Sequence, residues 1–471
     1  MINFKINPQM KAMLILIPGI LFWGLGSPSG LDPNAYHLFL IFITVIISLV
    51  TRLFPMAVSV LIGLLFCVMA NILTLKSALK GFSDSTTWLV VIAFLIAGSV
   101  IETGLGRRIS LICILALGRT ITGLGYAICL SELILGPVVP SNTARGGGIL
   151  APIVDSMSRS LKSTPKKNPK KAGEYLHLVG AHANLITAAM FLTGMAANPL
   201  VAKAASDIFQ IEFDWFTWAK GSIVPGLIGL AGLPILIRFL SPPSTECIQP
   251  IRDKIREDFQ SLGSWTYQEI VTASALGFML VLWSTKPIHG FGTTTVALLG
   301  LIIILITQSM TWTQMVKNYK AWDALIWLGG LLTLATGLKE LGFISWFGNW
   351  VENGLIDVSA MSLLIALALI YFYSMYFFSM LTAHIVALAG TIFLVASHTD
   401  LNPFLIVGVI AYFSNLCGCL TNYSTGPIII YFGNGYVKPF QWYKIGFLVS
   451  IYHLVVWIGI GSIWWRLIGW I

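Results

Sequence analysis

Apolar positions in this chain fall in long unbroken runs, not in the alternating or one-faced patterns of a water-soluble fold. Runs of spanning length lie near 12–28, 36–51, 56–73, 88–105, 219–240, 268–285, 294–308, 324–341 and 442–464. A helix needs about 20 apolar residues to cross the hydrocarbon core. Continuous runs also exclude a transmembrane barrel, whose strands alternate polar and apolar residues. The pattern predicts an all-α polytopic membrane protein with about 11 transmembrane segments and two re-entrant hairpins. Regions 120–158, 177–210 and 359–435 each exceed one span and are broken near the middle by Gly, Pro, Ser, Thr or Asn. Irregular backbone at membrane depth is tolerated only where it is buried in protein or lines a wet cavity. Function is expected at these breaks.

Displacing the sequence by 239 residues sets Asp84 on Asp323, Trp88 on Trp327, Leu89 on Leu328 and Gly98 on Gly337. The same offset carries Thr143-Ala144-Arg145 onto Thr382-Ala383-His384. One constant offset running into two polar breaks predicts two structural repeats. The predicted organisation is an N-terminal span within 1–35, a first repeat over 36–240, a cytoplasmic connector over 241–267 and a second repeat over 268–471. The first repeat holds a re-entrant hairpin near 120–158 and a broken helix over 177–210. The second holds a hairpin near 359–398 and a broken helix over 402–436. The basic stretches 159–175 and 241–267 read as solvated loops. With the N-terminus in the cytoplasm, most Lys and Arg fall on the cytoplasmic side, as the positive-inside bias requires. The two hairpins then enter from opposite faces, so the repeats are inverted, an arrangement common in secondary transporters.

Composition narrows the class further. Of 471 residues, 56% are apolar and only 10% charged, with a mean hydropathy of +0.84. That excludes a soluble enzyme and a disordered chain. The net charge of +9 is accounted for by basic cytoplasmic loops, so no nucleic-acid partner is expected; the lipid bilayer is the partner. The six cysteines show no metal-ligand spacing and read as packing residues. Lys5 and Lys11 before the run at 12–28 resemble a signal peptide, but the spans that follow at once favour a retained first span. With no long Ser/Arg-rich transit segment, a bacterial inner (cytoplasmic) membrane is the expected location.

Four breaks carry the candidate chemistry. The first reads Gly136-Pro137-Val138-Val139-Pro140-Ser141-Asn142-Thr143-Ala144-Arg145-Gly146-Gly147-Gly148. Ser141, Asn142 and Thr143 are good helix caps, but capping does not explain Arg145. A guanidinium at membrane depth is costly and points to function, with fixed donors suited to a carboxylate. A structural ion pair with Glu132 is the competing explanation. The second break, Thr193-Gly194-Met195-Ala196-Ala197-Asn198-Pro199, exposes helix-end groups that bind ions, or is a simple proline kink. The third is Ser379-Met380-Leu381-Thr382-Ala383-His384. There His384 is either a pH-conditional positive charge or a hydrogen-bonded packing residue. The fourth, Leu420-Thr421-Asn422-Tyr423-Ser424-Thr425-Gly426-Pro427, is the partner of the second. One Arg, one His and several hydroxyl and amide donors suit a small dicarboxylate.

Together, SNTARGGG, GMAAN, TAH and LTNYSTGP followed by IIIYFGNGYV resemble the divalent-anion:sodium symporter family over nearly the whole chain. They are most similar to its exchanger branch, which includes the plastid 2-oxoglutarate/malate translocators and bacterial citrate– or tartrate–succinate antiporters. The resemblance implies a homodimer, with scaffold and transport domains in each protomer and elevator-type alternating access. It implies a dicarboxylate antiporter with substrate contacts at Ser141, Asn142, Thr143, Arg145, Asn198, Thr382, His384, Asn422, Thr425, Gly426 and Pro427. Sodium-coupled members carry Ser-Asn-Thr at both hairpin tips. Here the first is intact and the second reads Met380-Leu381-Thr382, which removes donors from a second sodium site. A sodium site at Ser141, Asn142 and Gly194 remains open, though no cofactor or ion is expected to be required. In the exchanger branch a positive side chain following each motif stands in for the cation, and Arg145 and His384 hold those positions. Many relatives have His where this chain has Asn422.

Two rivals are weighed against the exchanger. A sodium-coupled symporter is favoured by the intact first motif. An intramembrane hydrolase built from Ser141, His384 and Asp155 has no supporting motif and gives the repeats no role, so no enzyme activity is expected.

Overall fold

Helix boundaries in the computed structural model follow the capping chemistry of the sequence. The structure describes residues 22–139, 141–245, 248–352 and 359–471. Most of the expected span at 12–28, together with Pro140 and Cys247, lies outside the described residues. The principal helices are α1 (Pro33–Thr51), α2 (Met56–Met69), α3 (Ser85–Glu102), α4 (Leu105–Leu117), α5 (Ile121–Leu135), α6 (Ala151–Ser160), α7 (Gly173–Met190), α8 (Asn198–Phe209), α9 (Trp215–Leu240) and α10 (Gln249–Ser261). They continue as α11 (Tyr267–Ser284), α12 (Thr293–Ile306), α13 (Tyr319–Glu340), α14 (Phe343–Glu352), α15 (Ala360–Ser374), α16 (Leu381–Ala396), α17 (Pro403–Leu416), α18 (Gly426–Gly433) and α19 (Pro439–Leu454), whose axis runs on to Leu467. No strand occurs among the described residues.

The first turn of a helix leaves amides without partners, and a short polar side chain can satisfy them. Asp32 accepts from Asn34 and Ala35 before α1, Asp84 from Thr86 before α3, and Thr120 from Gly123 before α5. Asp214 starts α9, and Thr266 with Glu269 forms a reciprocal cap on α11. Among the described residues, seven helices are long and apolar enough to cross a membrane, and four shorter apolar ones, α2, α5, α12 and α16, accompany them. Helices α5 and α15 start, and also end, 239 residues apart.

The helices pack in two neighbourhoods. In one, α13 lies against α1, α2 and α3, while α12 bridges α3 and α11. In the other, α7 is the axis, with α5, α6, α9, α17 and α18 around it. Every residue of α7 is buried, and so is α17 from Leu405 to Leu416. Large apolar side chains such as Phe239, Ile302 and Ile306 face outward, as lipid permits because it is as apolar as they are.

The connector departs from its expected form. The stretch 241–267 contains α10, a helix of 13 residues, where the sequence reading had a solvated loop. Ile251 and Ile255, one turn apart, are fully buried under its charged face, and α10 packs on α4 and α6. An apolar stripe four residues apart within a run of charges is the signature of such a surface helix.

The loop after α10 is pinned by Arg108. Its Nε lies 2.7 Å from Glu269 Oε1, and both side chains are almost wholly buried. Its other nitrogens donate to the carbonyls of Leu262, Gly263 and Ser264 at 3.0–3.2 Å. Removing one member strands the other charge. Arg108→Leu is therefore expected to destabilise by about 3–5 kcal/mol, and Arg108→Leu with Glu269→Leu by much less. Heating in detergent and following loss of the monodisperse species checks this; additive effects of the two substitutions would refute it.

Candidate substrate site

Arg145 is the centre of a closed polar network. After α5 the chain turns, and from Thr143 to Leu150 it winds with the wider pitch of a π-helix, a form frequent at functional sites. This places Arg145 back toward α5 with none of its surface exposed. Its Nε meets Glu132 Oε2 at 2.6 Å. Nη1 donates to the carbonyls of Val139 and Gly194 at 2.7 and 3.1 Å, and Nη2 to Thr187 Oγ1 at 3.3 Å. Glu132 also accepts from Asn184 Nδ2 at 3.0 and 3.1 Å and from Thr187 Oγ1 at 3.1 Å. Of the two explanations left open by the sequence, the Glu132 ion pair is the one seen in this conformation. The guanidinium brings no net charge to open space.

The glycines after Arg145 are needed for close approach. A Cβ on Gly146 would stand 2.6 Å from Asn184 Nδ2, and one on Gly147 would strike Ile430 of α18. A Cβ on Gly426 would collide with the Thr143 hydroxyl. The first hairpin tip and the start of α18 are thus in direct contact. The second hairpin tip joins the same place, since the amide of Leu381 donates to the carbonyl of Ser424 at 2.9 Å.

The remaining candidates divide by what their polar atoms do. Asn198 is fully buried and spent on bracing. Its Nδ2 donates to the carbonyls of Ala188 and Phe191 at 2.9 Å, and its Oδ1 accepts from Asn415 Nδ2 at 2.8 Å. Ser141 Oγ accepts from the amide of Ala144 at 3.2 Å. His384 is fully buried against Tyr371, with Nε2 2.9 Å from both the Tyr371 carbonyl and Ser374 Oγ. Asn422 Oδ1 accepts from the Tyr443 hydroxyl at 3.1 Å. Gly194 gives its carbonyl to Arg145. By contrast Asn142 Nδ2, Ser379 Oγ, Thr421 Oγ1 and Thr425 Oγ1, and the other ring nitrogen of His384, Nδ1, are buried with no hydrogen-bond partner. Thr143 and Thr382 are half-buried at their respective tips, while Pro427 is buried in the first turn of α18. Ser141, His384 and Asp155 have separate partners; Asp155 bonds Arg159 and Tyr436.

An open cavity of about 530 Å³ lies beside this junction. One wall is Met380, Tyr423, Ser424, Thr425, Gly426 and Ile429; the other is the end of α1 and the turn into α2, including Arg52. Sequence reasoning missed Asn184, Thr187, Asn415 and Arg52. Asn184 and Thr187 sit three residues apart on one face of α7, a signal that was available within a helix whose polar residues have no water to face.

Fold and site define an integral membrane transporter. The chain belongs to the sodium:sulfate symporter family, whose transmembrane-region model matches residues 7–471. It is 38% identical over 463 residues to YflS of Bacillus subtilis (strain 168), named as a candidate malate transporter, covering 98% of this chain and 97% of the relative. It is 35% identical over 468 residues to dicarboxylate transporter 1 of spinach (Spinacia oleracea) chloroplasts, covering 99% and 82%. Identity to the L-tartrate/succinate antiporter of Escherichia coli O6:K15:H31 (strain 536 / UPEC) is 31% over 479 residues, covering 96% and 95%. The YdaH transporter of Alcanivorax borkumensis shares the fold, with a TM-score of 0.56 at 14% identity, covering 86% and 89%. The family and these relatives are transporters, not enzymes, which sets the hydrolase reading aside.

The network makes a separable prediction. Arg145→Leu or Glu132→Leu alone leaves a buried unpaired charge and is expected to cost about 3–5 kcal/mol, so little folded protein should survive. The double variant should recover a folded, monodisperse protein that does not transport. A folded double variant with normal uptake would remove Arg145 from the transport mechanism.

Proposed function

We propose that this protein exchanges dicarboxylates of the 2-oxoglutarate, malate and succinate class across a bacterial cytoplasmic membrane. The N-terminus lies in the cytoplasm, and access alternates by an elevator-type movement within a homodimer built on two inverted repeats. The observation that carries the reading is the bond from Arg145 Nη1 to the Gly194 carbonyl at 3.1 Å. A sodium site at Ser141, Asn142 and Gly194 would use that carbonyl. That carbonyl already accepts from the guanidinium, so it is not free to coordinate a sodium ion, and sodium has no part in this reading. The names of the relatives support the substrate class.

In this reading Asn142, Thr143, Thr382, Asn422 and Thr425, with the amides at Gly426, face the dicarboxylate. Ser141, Arg145, Asn198, His384 and Pro427 hold the tips that present them. Exchange follows from the unsatisfied donors. Moving an empty site through the bilayer would carry Asn142 Nδ2 and Thr425 Oγ1 unpaired in a medium where that is costly, whereas a bound dicarboxylate satisfies them. The second reading is a sodium-coupled dicarboxylate symporter, favoured by the intact Ser141-Asn142-Thr143.

Counterflow in proteoliposomes separates the two. With malate inside and labelled 2-oxoglutarate outside, uptake is expected to require the internal dicarboxylate and to be the same in choline and sodium buffers. Uptake into empty vesicles driven by a sodium gradient would establish the symporter instead.

A further inference from the structure

We infer that Arg52 is a carboxylate-recognition residue for the transported anion, working across the 530 Å³ cavity from the start of α18. The inference rests on the dicarboxylate reading above and adds to it the cation that the site otherwise lacks. A dianion needs positive charge, and Arg145, which the sequence pointed to, is neutralised by Glu132 inside a closed network.

Arg52 is placed and prepared differently. It closes α1 in the left-handed conformation, with φ at +52°. Its side chain is exposed, and Nη2 donates to the carbonyl of Ser379 at 2.9 Å. It forms no ion pair among the described residues, and no acidic side chain lines the cavity. A single uncompensated guanidinium therefore sets the sign of the cavity.

The opposite wall offers two further features that suit an anion. Helix α18 has eight residues and no side chain capping its first turn, so its leading amides and positive dipole end are available. Thr425, immediately before it, is more than nine-tenths buried, lines the cavity and leaves Oγ1 without a partner. One carboxylate of the substrate is held by Thr425 and the α18 amides. The other is held by Arg52, whose fork matches carboxylate geometry. Taking up that carboxylate replaces the Ser379 carbonyl bond, since a charged acceptor outcompetes a neutral one.

The test is counterflow kinetics of wild type, Arg52→Gln and Arg52→Lys with succinate and with its monoamide, which keeps one carboxylate. A hydrogen-bonded charge pair is worth about 1.5–3 kcal/mol, so Arg52→Gln should raise the KM for succinate by roughly tenfold or more. It should leave the KM for the monoamide nearly unchanged, abolishing the preference for the dianion. Arg52→Lys should fall between. A purely mechanical role of the Ser379 bond predicts equal changes for both ligands, and that result overturns the inference. So does an unaltered succinate KM in a variant that transports. If Arg52→Gln is not recovered folded, Arg52→Lys decides: a raised succinate KM with little change for the monoamide supports charge recognition, and an unaltered succinate KM or an equal rise for both ligands refutes it. Wild-type protein that exchanges no dicarboxylate overturns the transport reading itself, and this inference with it.

Discussion

The buried pair of Arg145 and Glu132 is the interaction on which the candidate site depends. Neither charge reaches solvent, and each finds its remaining partners on other elements. Arg145 reaches the turn after α7 through the Gly194 carbonyl, while Glu132 gathers Asn184 and Thr187 from α7 itself. The desolvation of two ions is offset only when geometry and further hydrogen bonds are this complete. The π winding from Thr143 and the glycines after Arg145 are local consequences. The first lets the guanidinium turn inward, and the second lets α18 close over it.

From that anchor the four polar breaks become one assembly. The first hairpin tip meets α18 at Thr143 and Gly426, and the second meets it through Leu381 and Ser424. At the anchor the guanidinium and the Glu132 carboxylate are satisfied by protein, while Asn184 Oδ1 has no partner. At the tips, Asn142 Nδ2 and Thr425 Oγ1 are buried and unpaired.

Much of this was legible in the sequence because the bilayer makes polarity conspicuous. Four clusters of Gly, Pro, Ser, Thr and Asn stand out within apolar runs, and a charge such as Arg145 stands out more. Glu132 was nameable as its partner because it lies one hairpin arm away. Other residues left no comparable trace. Arg52 sits at the end of an apolar run, where a basic residue is ordinary, and its partner Ser379 is 327 positions away. Asn198 looked like a ligand donor, but its contact with Asn415 depends on a pairing between halves that no local pattern encodes. The helix α10 was hidden by its charge density, although Ile251 and Ile255 carried its period.

The amide pair between Asn198 and Asn415 has a mechanical meaning. It ties the two interrupted helices together across 217 residues of sequence, using the side chain that already fastens the end of α7 to the start of α8. The interruptions are therefore one joint, not two. Neither can slide or rewind by itself without leaving an amide dangling in a dry interior, so a push received at one half arrives at the other with little slack.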